Sequence, residues 1–245
     1  MHTEAATVQR PSRRARRTGI AYLGIIVTGI FAEFAVRGSL IVDDDPIATA
    51  ANIAGSPGLF GIGIGADVVM IALDVVVAFG LFGLLRHVDR RWAIAAAVLR
   101  LIQGAVLVAN LNFLWRALFS ALDAEGSDGS IAIGPAQDAL DAVERHALGY
   151  DVGLIAFAFS CLVLARLLAV GGLVPRVLAW GMAATGGVYL IGSAAAVFAP
   201  DASSVIEPFY VIPLVVECAL AVRLVTRGLD HPTDAITHRP VRVAA

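Results

Sequence analysis

The sequence predicts an all-α protein: a six-helix transmembrane bundle, with a short external interfacial helix and an external amphipathic helix before span four. Three observations support this prediction. Hydrophobic residues make up 58% of the 245-residue chain and charged residues only 16%, against about 25% charged residues in a typical soluble protein. Six apolar stretches are long enough to cross a hydrocarbon core of about 30 Å, which takes roughly 20 helical residues. Arginines also collect on one side of these stretches.

The six apolar stretches are predicted to be helices rather than barrel strands. Transmembrane strands alternate between apolar and polar side chains over only about ten residues, and the apolar stretches here are about twice as long or longer. Gly and Ala recur along the stretches, as they do where transmembrane helices approach closely. The predicted spans one to six cover residues 18–40, 59–85, 92–122, 148–170, 177–199 and 208–226.

The distribution of positive charge predicts the orientation of the bundle. The chain has 18 Lys and Arg residues, all arginine, and 14 of the 18 lie before span one, at or after the end of span six, or around the turns that join spans two to three and four to five. The opposite loops are acidic, with Arg37 and Arg145 as their only bases. Because loops rich in Lys and Arg stay in the cytoplasm, we expect a multi-pass protein of the cell (plasma) membrane with both termini cytoplasmic.

The same pattern divides the chain into three parts. Residues 1–17 are predicted to form an Arg-rich cytoplasmic tail, and residues 18–228 the six-span membrane domain. Residues 229–245, which include Pro232 and Pro240, are predicted to be a disordered cytoplasmic tail.

Two segments outside the membrane are predicted to be helical. Asp45 precedes Pro46, which is the pattern of an N-cap followed by proline at the first helical position, and Gly55 with Pro57 ends this short helix. In residues 136–147, apolar side chains recur at helical spacing on one face and polar side chains fill the other. This amphipathic helix leads into span four, and it is expected to cap the bundle from outside.

One ion pair inside the membrane is predicted from the heights of its members. A charged side chain near the bilayer centre costs about 2.5–3.5 kcal/mol on insertion scales, so such residues usually face the bundle interior and pair. At 1.5 Å per helical residue, Asp74 of span two and Arg100 of span three differ in height by roughly 6 Å. Spans two and three are joined by a short turn and should be neighbours. We therefore expect a structural Asp74–Arg100 ion pair.

A further set of polar residues is predicted to outline a cavity that opens to the exterior, with Glu217 near its floor. Carboxylates outnumber arginines in this set, so some of them are expected to face water or to carry a proton. The alternative is that these residues only hold the helices together, since such interhelical contacts contribute about 0.6 kcal/mol each in measured cases. The set consists of Glu33, Asp67, Asn110, Arg116, Asp151 and Glu217.

No motif predicts a cofactor or a metal. The repeated glycines of segment 61–65 lie in an apolar helix with no strand before it, so close helix packing through Gly61 and Gly65 is favoured over phosphate binding. His146 lies near Asp151 but has no His or Cys companions, and no metal site is predicted. With a net charge of −2, no nucleic-acid partner is expected. The expected partners are the lipid bilayer and a small solute or lipid ligand.

Several landmarks in fixed order resemble a known family. They are segments 19–23, 31–33, 36–37 and 49–53, then Phe60, Asp67, Arg100, Gly153, Pro175, Arg176, Tyr189, Leu190 and Glu217. From residue 18 to residue 228 the chain resembles a bacterial multi-span membrane protein family known as domain of unknown function 4386. Span four departs from this pattern, because Phe157-Ala158-Phe159-Ser160 stands where a glycine-richer stretch is usual. The resemblance implies a multi-span membrane fold and no particular activity.

Three functions are consistent with the sequence. The favoured one is a non-enzymatic protein that binds or transports a small solute through the polar cavity, although the broken helices and paired repeats of many transporters are not visible. The second is a membrane enzyme acting on a lipid or isoprenoid, with Glu33, Asp67 or Glu217 as general acid or base. The third is a non-catalytic accessory or sensor subunit.

Overall fold

The computed structural model describes residues 11–127, 129–199 and 203–230. Most of the two predicted tails, residues 1–10 and 231–245, lies outside the described residues. The described residues form helices, with one isolated β-bridge between Glu125 and Ile131. Six helices are long and apolar enough to cross a membrane, which confirms the predicted fold class. They are span one (Arg13–Leu40), span two (Pro57–Leu85), span three (Arg90–Ala124), span four (Ile133–Gly171), span five (Arg176–Phe198) and span six (Pro208–Thr226).

The helices begin and end near the predicted positions, with two differences. Span one begins at Arg13 rather than at residue 18, because the Ser12 hydroxyl caps it and accepts a hydrogen bond from the Ala15 N–H at 3.1 Å. The amphipathic helix and span four form one continuous helix of 39 residues. The short helix Pro46–Gly55 is present, and the Asp45 carboxylate caps it by accepting a hydrogen bond from the Ala48 N–H at 2.9 Å.

The six spans form a ring in sequence order. Each span packs against the next one along the chain, and span six closes the ring by packing against span one. Because the number of spans is even, the start of span one and the end of span six lie on the same side of the ring. We call this side the terminal end and the side that carries helix Pro46–Gly55 the distal end. The ring leaves a space in its centre that all six spans border.

Spans three and four extend past the other helices at the distal end. Their 35 and 39 residues correspond to about 50 and 60 Å of helix, whereas a hydrocarbon core is about 30 Å thick. The amphipathic part of span four buries Ala136 and Ala139 against Ala117 and Ala121 of span three and Ile53 of helix Pro46–Gly55. The apolar face of this segment therefore packs against its neighbours at the distal end.

Glycines let span one approach its two neighbours in the terminal half. A Cβ atom on Gly19 would collide with the carbonyl oxygen of Ala221 in span six, and a Cβ atom on Gly80 would collide with the Thr18 hydroxyl of span one. These contacts place helix backbones side by side, which is how small residues stabilise transmembrane helix pairs.

The glycines that were predicted to mediate helix packing do not do so. A Cβ atom on Gly61 or Gly65 would meet no neighbouring atom, while Gly63 between them faces the Val36 side chain of span one. The prediction for Gly61 and Gly65 was therefore wrong: the face of span two that contacts span one lies about half a helical turn away, at Gly63. The repeated glycines did not reveal which face of span two contacts span one.

Span one changes its helical form toward the distal end. Residues Phe31–Arg37 form a π-helix between the α-helical segments Arg13–Ile30 and Gly38–Leu40. This π-helical segment packs mainly on span two, whereas the terminal half of span one contacts span six through Gly19. Spans one and six therefore separate in the distal half of the ring. π-Helical turns occur frequently at functional sites.

Candidate functional site

A cavity of about 260 Å³ lies inside the distal half of the ring. Every span contributes to its wall, which is mostly apolar. One lining residue from each span is, in order, Ile26, Met70, Leu107, Leu154, Tyr189 and Leu214. Such an apolar pocket with a few convergent polar groups is typical of ligand-binding sites.

The floor of the cavity, near the middle of the bundle, is polar. Arg100 Nε lies 2.6 Å from Asp74 Oδ1, so the structure contains the ion pair that the heights of the two residues predict. The Arg100 guanidinium carbon lies 4.9 Å from the centre of the Tyr22 ring and 4.7 Å from that of Phe157. These two rings stabilise the buried cation through their faces. The Arg100 side chain is therefore fixed by one carboxylate and two aromatic rings.

Besides Tyr22 Oη below the floor, three residues that line the cavity each have a buried polar atom without a hydrogen-bond partner among the described residues. These atoms are Glu217 Oε1, Gln103 Oε1 and Arg100 Nη2. Their residues are only 6%, 7% and 2% exposed, and all three line the cavity. The Glu217 carboxyl group also interacts electrostatically with Arg100. Because buried polar groups are normally paired, these free atoms mark the part of the cavity that is suited to hold a polar group.

Tyrosine is concentrated around the cavity. The chain contains four tyrosines; Tyr150, Tyr189 and Tyr210 line the cavity, and Tyr22 stacks on Arg100 below it. The ring centres of Tyr189 and Tyr210 are 5.8 Å apart, and those of Tyr189 and Phe157 are 5.4 Å apart. Sequence reasoning missed these residues because aromatic side chains do not stand out in apolar stretches. The available signal was that Tyr22 and Tyr189 lie within spans, whereas tyrosine usually lies at membrane interfaces.

The cavity opens sideways, between spans one and six. All of its exposed lining residues belong to these two spans: Ile30, Glu33 and Phe34 on span one, and Leu214 on span six. Tyr210 of span six completes this rim. The opening lies where the π-helical segment separates from span six, and Phe34 beside it is 75% exposed. The rim thus faces the side of the bundle that lipid surrounds.

A second polar group of residues lies between the cavity and the distal end. Arg37 of span one reaches inward and places Nη1 2.7 Å from Asp67 Oδ2 of span two, while its Nε lies 2.8 Å from Glu33 Oε2. Asn110 donates hydrogen bonds to the His146 carbonyl oxygen at 2.8 Å and to the His146 ring nitrogen Nδ1 at 3.0 Å. Arg37 and Asp67 also interact electrostatically with His146. We call these five residues the distal polar layer.

The structure brings two of the six predicted cavity residues to the cavity, Glu33 at the rim and Glu217 at the floor. Asp67 and Asn110 are buried in the distal polar layer and do not line the cavity. The opening also differs from the predicted one, because the distal polar layer lies between the cavity and the distal end, and the exposed lining residues belong to spans one and six. The physical reason is Arg37, which turns inward to Asp67 instead of remaining in a loop.

The remaining two predicted residues lie away from the cavity. Arg116 is exposed on span three. Asp151 is half-buried on span four, and it accepts a hydrogen bond from the Ser193 hydroxyl of span five at 2.9 Å. Among the described residues, no three His, Cys, Asp or Glu side chains are grouped closely enough to hold a metal ion.

Fold and site together define a class: a multi-pass membrane protein built as a ring of six helices around a cavity with a polar floor. The family model described as "Domain of unknown function (DUF4386)" matches residues 17–228. The match covers all but four residues of span one and the whole of the other five spans, so the chain belongs to this family. Comparison with curated proteins and with solved structures gave no significant match.

Proposed function

We propose that this protein binds a small molecule in the cavity of its distal half, as a solute-binding or transport protein of the membrane. The observation that carries the proposal is Glu217, which is 6% exposed, lines a cavity of about 260 Å³ and has one carboxyl oxygen, Oε1, without a hydrogen-bond partner among the described residues. Leaving a buried polar atom unpaired costs about 1–3 kcal/mol. A bound ligand with a hydrogen-bond donor compensates for this cost.

The size of the cavity limits what it holds. An engineered protein cavity of about 150 Å³ accommodates benzene, so about 260 Å³ accommodates a molecule of about ten non-hydrogen atoms by the same ratio. The wall is apolar except at its floor and rim. This arrangement favours a small amphiphile, with its polar end at the floor and its apolar part against residues such as Met70 and Leu107.

Binding is tested by filling the cavity. Gly104 is buried and lines the cavity, and a Cβ atom there would meet no neighbouring atom. Gly104→Leu therefore places a side chain into the cavity with no clash at Cβ, and Gly65→Leu, on the exposed side of span two, is the matched control. We expect small amphiphiles such as 1-hexanol to raise the melting temperature of the wild type and of Gly65→Leu, but not that of Gly104→Leu. Equal stabilisation of all three proteins would contradict cavity binding.

We also propose that the protein is inserted in the plasma membrane with both termini in the cytoplasm. The arginines near the terminal end, among them Arg14, Arg86, Arg176 and Arg227, support this orientation. In this orientation the cavity lies in the outer half of the bilayer. A reporter that is active only in the cytoplasm should be active when fused after Arg242 and silent when fused near Ser127. The reverse pattern would overturn the orientation.

A second candidate function is a membrane enzyme that acts on a lipid or isoprenoid. The observation in its favour is the same Glu217 carboxyl group, because a general acid must reach its substrate with a free oxygen. Glu33 and Asp67 are less suited to this role, since both are paired with Arg37. An enzyme should convert a membrane lipid during incubation, and Glu217→Gln should stop that conversion; a binding protein should leave the lipid unchanged.

A further inference from the structure

We propose that the ligand of this cavity is an organic cation: a small amine on an apolar chain, whose ammonium group binds Glu217 at the floor. This inference rests on the proposed function and adds the chemical class of the ligand. Three independent features of the cavity carry it: the balance of charges, the balance of unpaired acceptors and donors, and the aromatic rings near the floor.

The first feature is an excess of carboxylates. At the floor, Asp74 and Glu217 face a single guanidinium, that of Arg100. In the distal polar layer, Glu33 and Asp67 share Arg37. Each of the two groups of residues therefore has one more acidic than basic side chain. Among the charged residues that line the cavity, three are acidic (Glu33, Asp74 and Glu217) and one is basic (Arg100). Such a lining favours a positively charged ligand over a negatively charged one.

The second feature is the set of unpaired polar atoms. Of the three unpaired atoms that belong to cavity-lining residues, two are acceptors, Glu217 Oε1 and Gln103 Oε1, and one is a donor, Arg100 Nη2. A primary ammonium group has three N–H donors and no acceptor. Its hydrogen bond to a carboxylate is charge-assisted and therefore stronger than one between neutral groups. A carboxylate ligand, by contrast, would leave the acceptors Glu217 Oε1 and Gln103 Oε1 unpaired.

The third feature is aromatic. Tyr189 and Tyr210 line the cavity with their ring centres 5.8 Å apart, and Phe157 lies 5.4 Å from Tyr189. The faces of such rings attract cations, and aromatic pockets are used to recognise ammonium groups. The molecule already uses this interaction at the floor, where Tyr22 and Phe157 flank the guanidinium of Arg100.

The rim of the cavity also favours a positively charged ligand. Glu33 lies at the opening between spans one and six, and its side chain is 62% exposed. The neighbouring Ile30 and Phe34 are apolar and exposed. An amphiphile with a positive head and an apolar chain is attracted by both kinds of side chain as it enters from the membrane. A negatively charged amphiphile of the same length would be repelled at the rim and at the floor.

The test uses three probes with the same six-carbon chain: n-hexylamine, 1-hexanol and hexanoate. Thermal unfolding of the purified protein is followed at neutral pH in an uncharged detergent, with Gly104→Leu to identify binding in the cavity. We expect the wild type to bind hexylamine about ten-fold more tightly than hexanol and to show no response to hexanoate. Glu217→Gln should reduce the affinity for the amine to that for the alcohol, whereas Glu217→Asp, which keeps the charge, should retain the preference.

The possible results distinguish the proposal that the cavity binds a small molecule from the proposal that this molecule is a cation. Equal binding of amine and alcohol, abolished by Gly104→Leu, would overturn the cation while leaving small-molecule binding in place. Tighter binding of hexanoate would overturn the cation in favour of an anion at Arg100. If no probe binds in a way that depends on Gly104, both proposals fail. If Glu217→Gln does not fold, the order of the three probes on the wild type and on Glu217→Asp decides the question.

Discussion

The terminal and distal halves of the ring differ in how they bury their interior. In the terminal half, span one packs directly on span six through Gly19, and the core is apolar, with Leu85, Leu168 and Leu224 fully buried. From the middle of the bundle to the distal end, spans one and six separate and leave the cavity. The buried charged residues lie in this part: Arg37, Asp67, Asp74, Arg100 and Glu217.

This difference indicates a division of roles. Apolar packing between closely approaching helices stabilises the terminal half, and it holds the ring closed. The distal half contains a cavity bordered by Arg100, Gln103 and Glu217, whose unpaired polar atoms cost free energy. Such costs are usual at functional sites, where surrounding structure compensates for them. The terminal end also has a pocket, beside Ser12 and Arg227, and an unpaired Arg223 Nε, but its helices pack directly around an apolar core. Substitutions in each half test whether the terminal half serves stability and the distal half serves binding.

The largest effect is expected at the Asp74–Arg100 pair. Removing one partner of a buried ion pair typically costs about 3–5 kcal/mol, because it leaves the other charge unpaired, whereas replacing both is often nearly neutral. Asp74→Asn and Arg100→Gln should each lower the melting temperature in detergent, and the double variant should recover much of the loss. If the two losses simply add, the residues are not energetically coupled.

Smaller effects on stability, of opposite sign in the two halves, are expected when one glycine in each half is replaced by leucine. Gly19→Leu places a side chain against the carbonyl oxygen of Ala221, and overpacking of this kind typically costs about 1–3 kcal/mol. Gly104→Leu places the same side chain in the cavity, so it should leave the melting temperature unchanged or raise it. Equal destabilisation by the two variants would show that the distal half is as tightly packed as the terminal half.

The smallest effect on stability is expected at the rim. Glu33 pairs with Arg37 at 2.8 Å, but Arg37 keeps its buried partner Asp67 when Glu33 is neutralised. Pairs of this kind that are exposed contribute less than about 1 kcal/mol. Glu33→Gln should therefore leave the melting temperature nearly unchanged, while it lowers the rate at which hexylamine binds. A large loss of stability would instead give Glu33 a structural role.

The fold was predictable from the sequence, but only part of the site was. Length and hydropathy predicted all six spans, and helical rise with a short connecting turn predicted the Asp74–Arg100 pair. The sequence places Arg37 near the outer end of predicted span one and does not indicate that its side chain turns inward, from the π-helical segment Phe31–Arg37, to Asp67. The lateral opening depends on how spans one and six separate. No pattern within a single helix records that separation.

The hydrogen bond between Asn110 and His146 was also unpredictable from spacing. It joins spans three and four, and it depends on the rotation of each helix about its own axis. The repeated glycines of span two show the same limit, since Gly63 rather than Gly61 or Gly65 faces span one. Helical periodicity predicts which residues share a face, but the neighbour that this face contacts is set by the packing of the whole ring.

The central claim is that the distal half contains an accessible cavity with a negatively charged floor. Cysteine labelling tests it most directly. Gly104→Cys is made in a background in which the native Cys161 and Cys218 are replaced by alanine, and the exposed Gly55→Cys is the reference. We expect 2-aminoethyl methanethiosulfonate, a cation, to modify Gly104→Cys about ten-fold faster than the anionic 2-sulfonatoethyl reagent, relative to the ratio at Gly55→Cys. No reaction at Gly104→Cys, or a ratio equal to that of the reference, would contradict the account.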